Sequence, residues 1–126
     1  MTLRRTVAGA LSLPLAGFFG FVGWHKSVDN HTDLARYGSW TAHLPEWPGR
    51  IVGWSELACA ATLLIGLARP VWGRIAASVL IANQIAAALT HATTGEVAAL
   101  PQNFVLIVML VTVTWAHSNT NKKGDL

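Results

Sequence analysis

The sequence predicts an all-α fold: a four-transmembrane-helix antiparallel bundle in a single membrane domain of 126 residues, with a short interfacial helix in its long first outer loop. Two observations carry this expectation. Hydrophobic residues make up 52% of the chain and charged residues 12%, about half the charged share of a soluble domain. Mean hydropathy is +0.43. The apolar residues also fall in four long blocks separated by polar joints. A hydrocarbon core about 30 Å thick needs roughly 20 helical residues, or about 17 at the least, and each block reaches that length. Each must be helical, because lipid offers the backbone no hydrogen-bonding partner.

The first span is expected over residues 6–24. Arg4 and Arg5 precede it, but the apolar stretch is too long for a secretory signal and no small-x-small site closes it, so it is read as a mature helix. Pro14 predicts a kink. Gly17, Gly20 and Gly23 recur every third residue and form a small face that lets another helix approach closely. The loop over 25–49 is long enough to hold structure. Leu34, Tyr37 and Trp40 recur at spacing three with Asp33 near a helix start, and a Pro45/Pro48 turn then leads back into the membrane. The second and third spans, 50–68 and 72–91, are joined by the tight Arg69-Pro70-Val71 connection and should be antiparallel neighbours. The third carries small residues in "AASV" and "IAAA". The fourth span covers 101–117, and residues 118–126 read as a flexible polar tail.

Lysines and arginines set the expected direction. Arg4, Arg5, Arg69, Arg74, Lys122 and Lys123 fall on the side of both termini, whereas Lys26, Arg36 and Arg50 fall on the other. The positive-inside bias then places both termini in the cytoplasm. Trp24, Trp40, Trp47 and Trp54 fall at the outer interface, and Trp72 and Trp115 at the inner one, as in an aromatic belt. The cations are spread over segment ends and form no basic stripe, which argues against a nucleic-acid partner. Cys59 is the single cysteine. It excludes an intrachain disulfide and a CxxC pair, and among alanines it reads as a packed thiol. Redox chemistry, if present, must come from a bound cofactor or a partner.

The intramembrane polar residues then sort by depth. At 1.5 Å per residue, Glu56 lies about 9 Å in from Arg50, and Gln84 lies about 10 Å in from His91 on the same helical face. Lys26 ends the first helix on that side, and Gln102 and Asn103 open the fourth there. Every span thus contributes a polar group to the outer half of the bundle. An ionisable group in a span costs roughly 2.5–3.5 kcal/mol on insertion scales and usually pairs. Glu56 has two candidate partners, Lys26 and His91. The set closes either as a structural ion pair or around a ligand. No HxxxH or HxxE pair lies on any helix, so no metal site is expected from His25, Glu56 and His91, and haem still less. Asn83 projects about 100° from Gln84 and is expected to bond across a helix interface.

The first helix ending "FVGWHK", the segment "GWSELACAATLLIGL" with its Gly-x-x-Glu, and the third helix ending "ALTH" resemble the DoxX and DoxX-like family over most of residues 8 to 117. The family pattern falls on Gly23, Lys26, Gly53, Glu56 and His91, while the outer loop departs from it in being rich in Trp and His. The resemblance implies a four-helix membrane bundle. Founding members of the family are small subunits of a thiosulfate:quinone oxidoreductase that work with a partner subunit. The expectation is therefore a membrane subunit of quinone-linked redox metabolism. In it Glu56 and His91 relay protons or bond a quinone oxygen, and Lys26 holds Glu56 ionised. Gln84 orients the head group, with Trp54, Gln102 and Asn103 completing the cofactor site. A homo-oligomer is compatible with the small-residue faces. Two alternatives stay open: a stand-alone isomerase or hydrolase acting on a small lipophilic substrate, and a non-catalytic assembly subunit.

Overall fold

The computed structural model describes residues 2–118. Within them the chain forms five α-helices, α1 (Leu3–Val28), α2 (His31–Arg36), α3 (Glu46–Ile65), α4 (Pro70–Thr93) and α5 (Leu100–Ser118), with 3-10 turns at Trp40–His43 and Val97–Ala99. No strand occurs among the described residues. The polar tail expected beyond Ser118, with Lys122 and Lys123, lies outside them.

Helix ends follow local chemistry and extend several predicted boundaries. α1 starts at Leu3 rather than residue 6, because the Thr2 hydroxyl accepts the Arg5 amide at 3.2 Å, an N-cap that satisfies an orphan donor. It runs through Pro14 to Val28, four residues past the expected end. α3 begins directly after Pro45, at Glu46 instead of residue 50. Pro48 therefore sits in the first helical turn, where its missing N–H costs no helical bond, and not in a separate turn. α3 also stops at Ile65, short of residue 68. The Leu67 and Ala68 amides bond the Leu64 and Ile65 carbonyls three residues back, the tightened geometry common at helix ends.

The expected loop helix is present but short. α2 is capped by the Asn30 side chain, which accepts the Asp33 amide at 2.9 Å. It breaks at Gly38, whose φ of +73° suits a residue without Cβ. Trp40 lies in the following 3-10 turn rather than on the same helix.

The four long helices pack in a ring, α1 against α3 and α5, and α4 against the same two. Arg4 at the start of α1 bonds the Trp115 carbonyl near the end of α5 at 2.7 Å, so both ends of the described chain share one end of the bundle. The middle is an apolar core of Leu15, Phe19, Leu63, Ala76, Ala77, Leu80, Leu110 and Val113. Three stretches are long and apolar enough to cross a membrane: Leu3–Val28, Pro70–Thr93 and Val97–Ser118. α3 is not among them; Arg50 and Glu56 both lower its apolarity.

A close backbone approach joins α1 to α3. A Cβ on Gly23 would stand 2.9 Å from the Gly53 carbonyl oxygen and the Leu57 amide, and one on Gly53 would stand 2.7 Å from Ser27. The expected glycine face is thus used unevenly. Gly20 meets only the Ala60 Cβ at 3.9 Å, and Gly17 faces open space.

Candidate functional site

At the end of the bundle opposite the termini, the close approach at Gly23 and Gly53 builds an ion-pair site. Gly23 faces Glu56 and Gly53 faces Lys26, so the two notches admit one ion pair between the helices. Lys26 Nζ donates to Glu56 Oε1 at 2.7 Å. Glu56 is 0% exposed and Lys26 7%. The second carboxyl oxygen, Oε2, has no hydrogen-bond partner among the described residues. The Trp40 ring lies over Lys26, with its centroid 5.7 Å from Nζ, within the range of a cation–π attraction.

Lys26 is also one wall of a cavity of about 340 Å³ between α1, α4, α5 and the loop that follows α2. Its polar lining includes Lys26, Gln84, His91, Gln102 and Asn103, together with His25 and Ser39. Phe18, Phe21 and Leu106 supply apolar walls, and Leu34, Tyr37 and Trp40 cover it from the loop. Asn103 Nδ2 donates to Gln84 Oε1 at 2.9 Å across the α4–α5 interface, and both residues are buried. A space of this size falls within the range of small-molecule sites, which combine apolar walls with a few convergent polar groups.

The covering loop is tied down by one carboxylate. Glu96 Oε1 accepts from His43 Nε2 at 2.8 Å, from His91 Nδ1 at 3.0 Å and from the Thr94 hydroxyl at 3.2 Å. His43 belongs to the 3-10 turn of the loop and His91 to the end of α4. The hydrogen bond from His43, followed by that from His91, holds the Glu96 carboxyl below its ordinary value.

A model of the DoxX-like family matches residues 10–113. The chain belongs to the DoxX-like family. Together with its three long apolar helices, membership makes it a multi-pass membrane protein embedded in a lipid bilayer. This DoxX-like chain matches no curated protein and no solved structure.

The fold of this DoxX-like protein brings most of the sequence-selected residues together. Lys26, Gln84, His91, Gln102 and Asn103 share the cavity. Glu56 stands behind Lys26 rather than on the lining. His91 is not its partner, because the imidazole turns to Glu96 instead. Trp54 is not brought to the cavity: it is 46% exposed on α3 and stacks edge-on against Trp47 at 5.7 Å. The Asn83 amide bonds the Ser55 hydroxyl at 3.0 Å across α3 and α4, as its divergence from Gln84 suggested. His25 bonds Asp29 at 2.8 Å, and among the described residues no group of three or more His, Cys, Asp or Glu side chains could hold a metal ion. Sequence reasoning missed the bridging role of Glu96, a lone acid in the polar joint after His91. It also left Trp40 in the interfacial belt, although its spacing from Leu34 marked a common face.

A second cavity, of about 640 Å³, opens at the other end between Arg5, Pro70 and His117. None of the sequence-selected site residues lines it.

Proposed function

We propose that this DoxX-like protein is a membrane subunit of quinone-linked redox metabolism, with the cavity at the Lys26 end as its head-group site. In this reading all four long helices, α3 included, cross a bacterial cytoplasmic membrane with both termini inside. Arg4, Arg5, Arg69 and Arg74 then mark the cytoplasmic end by the positive-inside bias, and the cavity lies in the outer half. The observation that carries the reading is the lining itself, in which Phe18, Phe21 and Trp40 face a polar set of Lys26, His91, Gln84 and Asn103. Planar aromatic walls suit a flat ring, and the polar set suits its oxygen substituents.

When bound, a quinone supplies reversible two-electron, two-proton chemistry. The chain's own residues bind, orient and supply charge. Lys26 presents an ammonium to one ring oxygen, and buried Glu56 anchors that ammonium, the reverse of the roles expected from the sequence. His91, held by Glu96, and the Gln84 amide orient the head group. The loop carrying Trp40 shields it from water. Electrons are exchanged with a partner oxidoreductase subunit on the outer side.

The test is binding of a short-chain ubiquinone, in either redox form, to the purified full chain in lipid nanodiscs, read by tryptophan quenching. Saturable binding that weakens at least tenfold in Lys26→Met, with the fold retained by circular dichroism, supports the reading. Absence of saturable binding in both redox states refutes it.

A further inference from the structure

Two buried polar atoms on residues lining the cavity lack hydrogen-bond partners among the described residues: the Asn103 Oδ1 acceptor and the Trp40 Nε1 donor. Asn103 is 6% exposed and Trp40 7%. Buried polar groups are nearly always satisfied, and one left unmatched is costly. A ligand that meets both from the cavity must donate a hydrogen bond as well as accept one.

The Asn103–Gln84 pair sharpens that requirement. Each primary amide has one carbonyl oxygen and one NH₂ group. Their mutual bond uses one oxygen and one N–H, which leaves one carbonyl oxygen and N–H donors over. Reading both amides the other way round keeps that count and moves the free oxygen from Asn103 to Gln84, which also lines the cavity. Trp40 adds a further donor, and Lys26 is a donor only. The amide oxygen is thus an acceptor that this polar set keeps free for a ligand, beside His91 Nε2, which accepts when Nδ1 donates to Glu96.

A quinone oxygen can only accept. Set against a carbonyl oxygen, it leaves that acceptor unsatisfied. A ring hydroxyl donates and accepts at once, and so answers both the amide oxygen and the indole N–H. We infer that the cavity selects a ring-borne hydroxyl, the reduced hydroquinone form of the head group, over the oxidised quinone. This inference rests on the head-group reading above and adds its preferred redox state.

The experiment compares three probes on the wild-type chain in nanodiscs under anaerobic conditions: a short-chain ubiquinol, the matching ubiquinone, and the same ring with both hydroxyls O-methylated. Binding of the ubiquinol about tenfold tighter than either of the others, roughly the contribution of one hydrogen bond, supports the inference. The double change Gln84→Leu with Asn103→Leu should reduce that ratio by removing both amide oxygens, since Asn103→Leu alone would free the Gln84 oxygen that accepts its Nδ2. Should that variant fail to fold, Trp40→Phe, which removes only the donor, should weaken the ubiquinol and ubiquinone alike and preserve the preference for the reduced form. Equal binding of the ubiquinol and ubiquinone, or tighter binding of the ubiquinone, overturns the selectivity and leaves the head-group site standing. Equal binding of the ubiquinol and its O-methylated analogue also overturns it, because donation then plays no part. If none of the three binds, the head-group reading fails and the inference falls with it.

Discussion

Replacing Lys26 with methionine leaves Glu56 buried at the helix interface without its cation. Glu56 has no exposed surface, and only one of its oxygens has a described partner, which is Lys26 Nζ. Breaking a buried pair from one side costs about 3–5 kcal/mol, and no other described cation bonds that carboxylate. The converse change, Glu56→Leu, should cost less, about 1–3 kcal/mol. Lys26 borders the cavity and lies beneath the Trp40 ring, so its ammonium keeps polar surroundings after losing its partner. Changing both residues, Lys26→Met with Glu56→Leu, should return stability to within about 1 kcal/mol of wild type, or raise it, since apolar replacements often match a buried ion pair. The assay is equilibrium unfolding of the four proteins in mixed micelles, analysed as a double-mutant cycle. The expected order of destabilisation is Lys26→Met first, Glu56→Leu second and the double variant last. Two single changes that each cost under about 1 kcal/mol and simply add would refute the buried-pair account.

Gly23→Ala and Gly53→Ala should each destabilise the protein by about 1–3 kcal/mol through overpacking, since their Cβ atoms would meet backbone at 2.9 Å and 2.7 Å. Gly17→Ala, with nothing within 4 Å, should be neutral or gain about 0.5–1 kcal/mol; the same unfolding series separates the cases. Glu96→Gln should loosen the covering loop, read as faster hydrogen exchange over residues 36–45 at neutral pH. Because the Glu96 carboxyl is held below its ordinary value of 4.5, its stabilisation is full above that value. It is lost as pH falls through the lower folded value. The wild-type thermal midpoint should therefore drop more steeply on acidification below pH 4.5 than that of Glu96→Gln. Trp54→Ala should leave head-group binding unchanged, because Trp54 stacks on Trp47 away from the cavity; a clear loss of affinity would put the site elsewhere.

Depth along the helices was legible in the residues alone. Apolar block length decides that long helices form, and the fixed rise per residue assigns Lys26, Glu56, Gln84, His91 and Asn103 to one end of whatever bundle they make. The family resemblance was legible too, through the Gly-x-x-Glu segment and its neighbours. Rotation about each helix axis was not. A helix apolar on nearly every face has no amphipathic stripe to mark its inner side, and each residue turns it by about 100°. The residues alone therefore could not say that Gly23 packs while Gly17 faces open space, or that Trp54 turns outward. The pairing of His91 was hidden for a related reason, since Glu96 reaches it only through the turn at Gly95, whose φ is +80°. Tertiary packing made these choices. The close approach of α1 and α3 at two glycines sets the rotation of both helices, and with it places Glu56 behind Lys26 and Lys26 at the cavity wall.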